Sequence, residues 1–209
     1  MKKIYSLLLF SLISYVFVAC TSNSTTKNGT KTENTAELTT QFNTFIANFQ
    51  QESKTLPATF GEEWLDRQIS PVKIDSLVCV RFLAGNSVIN HELGIGGKDH
   101  KEITLDATKT YYYISKVSLG SDFISVIISD LGKEATSTYL LMFSPEGAYI
   151  SGIVMQARYY LRDAETINKV SRESVISDSQ MILCQEKLVG RNKFISYDIS
   201  ADGTIVKKD

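Results

Sequence analysis

The chain has 209 residues, 43% of them hydrophobic and 22% charged, with a formal net charge of -1. This composition excludes a disordered, collagen-like or disulfide-dense chain, and a charge near zero argues against nucleic acid, whose binding needs a basic face. Two His and three Cys leave little material for a metal cluster, and no cofactor is implied.

Lys2 and Lys3 precede an almost wholly apolar run from Ile4 to Ala19, and small Ala19 stands before Cys20. A basic start, an apolar run and a small residue form the layout of a secretory signal. Sixteen helical residues would span about 24 Å, short of the roughly 30 Å hydrocarbon core, so removal is expected rather than a spanning anchor. Phe17-Val18-Ala19-Cys20 resembles the lipobox of bacterial lipoproteins, with Phe17 where that family usually has Leu. The resemblance implies that residues 1–19 are a signal peptide and that Cys20 becomes a diacylated N-terminus. The lipid bilayer is then a partner through acylated Cys20. No acid follows Cys20 closely. By resemblance to the sorting rules of such lipoproteins, this implies the bacterial cell envelope and its outer membrane, on the periplasmic or the surface face.

Residues 21–36 hold six Thr, three Asn and two Ser, with no large apolar side chain. Such a stretch buries too little surface to offset chain entropy. Residues 20–36 are therefore expected to be a lipidated Cys and a flexible tether. Removal of residues 1–19 takes away Lys2 and Lys3 and leaves a net charge of -3.

Residues 37–209 are expected to form one α+β domain. Leu38, Phe42, Phe45, Ile46 and Phe49 recur at helical spacing, and Asn34 with Glu37 three residues on resembles an N-terminal cap. A helix is predicted over 35–53, ended by Leu56-Pro57. Residues 72–84 fit a helix through Ile74, Leu77, Val78 and Phe82, and partly fit a strand; the stop signal Gly85-Asn86 favours helix. Beyond about residue 101, β-branched and aromatic runs alternate with turn residues. Strands are predicted at 101–105, 110–119, 122–130, 137–144, 148–158, 166–176, 179–188, 192–200 and 203–207. Ser144-Pro145-Glu146-Gly147 and Ser200-Ala201-Asp202-Gly203 have the form of one type I turn with Gly in the left-handed position. Short connections imply hairpins. The expected architecture is N-terminal helices packed on a curved antiparallel β-sheet meander. The stretches Tyr139–Met155 and Phe194–Lys207, with Leu56-Pro57 and Ile74–Leu83, resemble uncharacterised lipoproteins of the Bacteroidetes type. That resemblance carries no agreed activity and transfers no catalytic residue.

Candidate chemistry is sparse. His91, Glu92, Asp99 and His100 offer four donors around a Gly-rich loop, but the His spacing matches no zinc signature and an exposed polar loop is the simpler reading. Gly94 to Lys98 lacks the flanking strand and the Lys-Ser/Thr ending of a phosphate cradle. No G-x-S-x-G elbow is present. Cys79 and Cys184 lie in apolar runs; outside the cytoplasm they could pair as a disulfide, or stay as two buried thiols. Tyr111-Tyr112-Tyr113 and Tyr159-Tyr160 fit cross-strand aromatic packing better than an exposed sugar-stacking face. Asp75-Ser76-Leu77 matches a short O-glycosylation pattern inside an apolar segment, where chance explains it. The residues favour a lipid-anchored, non-catalytic binding or assembly module with a protein or glycan partner. Two alternatives stand behind it: a carrier with an apolar ligand inside a curled sheet, and a metal-dependent or hydrolytic enzyme using His91 and His100.

Overall fold

Phe42, Phe45 and Phe49 recur every three to four residues, which places three rings on one face of a helix. The computed structural model describes residues 27–54, 56–61, 72–90, 101–132, 135–162, 167–188 and 191–208. In it α1 spans Lys27–Ala47 and buries Phe42, Phe45 and Ile46, with Phe49 buried just beyond its end. The helix begins eight residues before the predicted onset, inside the stretch expected to be a tether, so Asn34 lies within it rather than at its cap. The physical reason is cooperativity. Nucleation is the costly step, and a nucleus fixed by packed Phe rings propagates back through a Thr/Asn stretch that contains no Pro. Thr39, Thr40 and Thr44 each donate a hydroxyl hydrogen bond to the carbonyl four residues earlier, at 3.0, 2.9 and 3.0 Å. Residues 1–26, with Cys20 and the segment expected to be a signal peptide, lie outside the described residues.

The helix also ends earlier than predicted. β1 (Gln50–Lys54) follows it and pairs in parallel with β5 (Tyr111–Val117). β2 is Ala58–Phe60. The ambiguous segment 72–84 contains both structures. Its first part is extended, with Tyr113 N–H donating to the Val72 carbonyl at 2.9 Å and Ile74 N–H to that of Tyr111 at 2.8 Å. Its second part is α2, Ser76–Phe82, capped where the Asp75 carboxylate accepts from Leu77 N–H at 2.8 Å. Gly85 then takes a φ of 85°, a left-handed conformation that suits glycine and stops the helix.

β3 (Ser87–Asn90) and β4 (Lys101–Thr104) form a hairpin pair. After β5 come β6 (Ile124–Leu131), β7 (Thr136–Phe143), β8 (Tyr149–Arg162), β9 (Ile167–Ile176), β10 (Met181–Leu188), β11 (Arg191–Ile199) and β12 (Ile205–Lys207). β5 to β12 pair in sequence order, each antiparallel to the next. This is the expected α+β meander.

The fourteen-residue β8 lets the sheet turn on itself. Its first half pairs with β7, and Ile89 of β3 aligns with its Ile153; its second half pairs with β9. The register shifts between Thr138 and Tyr139, which face Gln156 and Val154, so Met155 is an extra residue. Such a bulge bends a strand and increases its twist. Past the bend, β2 adds to the part of β9 that β8 no longer covers. Gly152 sits where β3 crosses: a Cβ there would lie 2.7 Å from Leu141 and 2.9 Å from Val88.

Two apolar clusters result. In the first, Phe42, Phe45, Phe49 and Phe82 from the helical side pack on Tyr113, Tyr139, Leu141 and Phe143. In the second, Ile114, Ile127, Leu140, Met142 and Ile153 pack against Phe60, Ile176, Ile182, Ile195, Tyr197 and Ile205. The molecule is thus layered as helices, β5–β8, then β9–β12. Ser151 of β8 donates to the Gly203 carbonyl at 2.7 Å and ties the last turn back across the curl.

Candidate binding surfaces

The helix-covered side carries a groove of 410 Å³ between α1 and α2. Phe45, Val78 and Phe82 form its apolar floor; Thr40 and Thr44 of α1, Asn48 just beyond its end, the cap residue Asp75, and Leu77 and Arg81 of α2 rim it. The Phe45 and Phe82 rings stack with centroids 5.2 Å apart and planes at 16°, which fixes the spacing of the two helices. Leu77 is 79% exposed and Val80 59%, one turn apart on the outer side of α2.

The opposite side of the molecule is the outer face of β9–β12, on which no other described element lies. Strand alternation sends Ile182, Cys184, Ile195 and Tyr197 inward, so Leu183 and Phe194 point outward. Leu183 faces Ser196, and Gln185 faces Phe194, so Leu183 and Phe194 are diagonal neighbours across β10 and β11. Phe194 is 60% exposed, and Val206 of β12 shares the outward phase beside Asp198. Lys187–Glu173 at 2.8 Å and Lys208–Asp198 at 3.6 Å give this face a polar border.

Between the layers lies a buried polar group. Ser129, Thr138 and Gln156 stand in one row across β6, β7 and β8, all fully buried, with the two hydroxyls 2.9 Å apart. The Gln156 amide has no hydrogen-bond partner on either atom among the described residues. Arg172 and Glu186 face each other across β9 and β10, each 2% exposed. The guanidinium donates through Nε at 2.9 Å and through Nη2 to Glu186 Oε1, and through Nη1 to the Val154 carbonyl at 3.1 Å. The last bond supplies a donor to a backbone carbonyl at the bulge, where the β-ladder is interrupted.

A second polar cluster caps the first apolar cluster. Asp130 accepts from Lys109 Nζ at 2.7 Å and from Tyr139 Oη at 3.2 Å, and the Asp106 N–H donates to Tyr111 Oη at 3.1 Å. Burial first, then the Asp130 charge, raises the Tyr139 phenol well above its usual value. Burial likewise raises Tyr111 and Tyr113.

The sequence-derived candidates fall as follows. Cys20, His91, Glu92, Asp99, His100 and the Gly94–Lys98 run lie outside the described residues. Cys79 and Cys184 are both buried free thiols. They belong to separate clusters on opposite faces of β5–β8, Cys79 on the buried side of α2 and Cys184 in the inner layer, so of the two readings it is the pair of buried thiols that the structure has, and the possible disulfide is corrected. Burial raises both thiols, with Asp106 adding to the effect at Cys79, so each stays protonated and unreactive near neutral pH. Tyr111 and Tyr113 are buried and Tyr112 is half-buried, the packing reading rather than an exposed aromatic face. Asp75, read as part of a modification pattern, is the cap of α2.

Both surface features went unread in the sequence, although Phe194 stands out of phase with inward Ile195 and Tyr197. The buried ion pair left a signal too: Arg172 shares the phase of Val170 and Ile176, and Glu186 that of Ile182 and Cys184. Opposite charges at apolar-phase positions of neighbouring strands mark a buried pair. Among the described residues no helix is long and apolar enough to cross a membrane, and no group of three His, Cys, Asp or Glu side chains is placed to hold a metal ion. No family model, curated protein or solved structure matches the chain.

Proposed function

We propose that this protein is a bacterial cell-envelope lipoprotein, held in the outer membrane by acylated Cys20, that acts as a non-catalytic recognition module. Its partner is a protein or a glycan, met by the outer face of β9–β12. The observation that carries this reading is Phe194, a large aromatic side chain 60% exposed on a strand, with Leu183 beside it. Exposed aromatic and aliphatic residues inside a polar border are the usual make-up of a contact patch. The reading also has the support of the leader and of Cys20 in the lipobox-like position. A carrier would need an enclosed space within the curl. Leu140, Met142, Ile153, Ile176 and Ile182 fill that region, all fully buried, which weighs against a carrier.

Two arms of one experiment test the proposal in cells. Labelled palmitate enters the wild-type protein, and Cys20→Ser abolishes the label and releases the protein from the membrane fraction. A photo-crosslinking residue at position 194 gives a discrete adduct, which one at Asp122 does not. Equal membrane retention of Cys20→Ser, or no adduct at 194, contradicts the reading.

A further inference from the structure

The α1–α2 groove lies on the far side of the molecule from Phe194. We infer that this side is a second bilayer contact: Leu77 and Val80 of α2 enter the lipid headgroup boundary while α1 lies along the surface. The inference rests on the anchored reading above and goes beyond it, because it names the face of the body that meets lipid.

The length of chain before α1 is the first argument. The helix begins at Lys27, seven residues after Cys20. Six intervening residues reach about 20 Å at full extension. Thr40, at the near end of the groove, lies about 20 Å further along α1 at its helical rise. A body held this close meets the surface at an effective concentration near the millimolar range.

Exposure is the second. Val72, Leu77 and Val80 are 61%, 79% and 59% exposed, three large apolar side chains within nine residues. They belong to the helical side, to which the tether is joined.

Charge is the third. From Thr40 onward the exposed side chains of α1, Thr40, Asn43, Thr44 and Ala47, carry none, nor does Asn48 just beyond its end, so little desolvation opposes contact with headgroups there; the exposed charge of Glu37 lies about one turn earlier. Exposed Lys73 and Arg81 flank the apolar pair and suit lipid phosphates, while the Asp75 carboxylate is engaged by Leu77 N–H. Two aliphatic side chains are too few to hold a free protein on a membrane, so the contact works only together with the acyl chains.

The test uses the full acylated chain in vesicles of phosphatidylethanolamine with a minor fraction of phosphatidylglycerol. An environment-sensitive fluorophore is attached to Leu77→Cys and, separately, to Phe194→Cys; the native thiols at 79 and 184 are buried. The expected result is a blue shift with a severalfold emission rise at 77, quenched by a lipid-borne quencher, and no change at 194. Acylated, vesicle-bound protein whose label at 77 stays as wet as that at 194 overturns the contact and leaves the anchor standing. A blue shift that the lipid-borne quencher does not reach means the groove is covered by protein, which also overturns it. Protein from membranes that carries no acyl group overturns the anchored reading, and the contact falls with it.

Discussion

The two faces of β5–β8 are closed by different means. The helical side is closed by separate elements, and its cluster is aromatic: Phe42, Phe45, Phe82 and Phe143 pack with centroids between 5.2 and 6.1 Å. The inner side is closed by the same sheet returning over itself, and its cluster is mostly aliphatic with a buried Arg172–Glu186 pair at the bend. A helix satisfies its own backbone, so it can cover a sheet with side chains alone. A sheet that curls must interrupt a ladder, and the interrupted backbone needs polar partners, which Arg172 supplies at Val154. The inner face therefore depends on polar geometry, and the helical face on packing volume.

Breaking the inner face at its charge pair should have the largest effect. Arg172→Met leaves Glu186 buried without its guanidinium and is expected to cost about 3–5 kcal/mol in denaturant unfolding. Arg172→Met with Glu186→Leu should recover most of that loss, since both members of the buried pair are then removed together. If the double variant is as unstable as the single one, the carbonyl contact rather than the ion pair holds the bend.

At the phenylalanine cluster of the helical face the comparison predicts a volume response. Phe45→Ala should cost about 3 kcal/mol, the low end for a buried Phe, because the adjacent groove lets neighbours collapse. It should also loosen the spacing of α1 and α2, read as faster amide exchange in α2 than in β10.

Tyr139 gives a smaller, pH-dependent effect at the polar cap of that face. Its folded-state value is raised above the unfolded value near 10. The folded state therefore holds the proton more tightly, and stability is complete below pH about 10 and falls as pH rises past it. Tyr139→Phe should lose about 1 kcal/mol at neutral pH with the Asp130 hydrogen bond, and should flatten the alkaline decline. An unchanged decline would place the alkaline sensitivity at the other groups that burial raises, Tyr111, Tyr113, Tyr149 and the two thiols.

The smallest effect concerns a third copy of the turn read at Gly147 and Gly203. Gly147 and Gly203 have φ of 94° and 86°, and Gln180 has φ of 61° with the same hydrogen-bond pattern around Ser177. A left-handed non-glycine residue costs about 1–2 kcal/mol, partly offset by glycine's extra entropy in the unfolded chain. Gln180→Gly should therefore raise stability by about 0.5–1 kcal/mol. No gain would mean that the Gln180 side chain contributes as much as its backbone costs.

Much of this architecture was legible. Each strand predicted beyond residue 101 is present, because β-branched runs between turn residues carry their own punctuation. The strands at 50–54, 58–60 and 87–90 were not legible: Ala58–Phe60 and Ser87–Asn90 are too short to show a period, and Gln50–Lys54 is polar and defined by its pairing with β5. The third turn was hidden because Gln stands where the pattern has Gly. The separation of Cys79 from Cys184 could not be read from two similar apolar runs, since it depends on which face of the sheet each one meets. The groove was hidden for a related reason: Leu77 and Val80 look like core residues in sequence, and only the docking of α2 through Cys79 and Phe82 turns them outward.

The mass of the intact protein extracted from cell membranes tests the central claim most directly. The account predicts a chain that starts at Cys20 and carries the added mass of a diacylglycerol thioether. A chain that starts at another residue, or starts at Cys20 with no lipid mass, would contradict it.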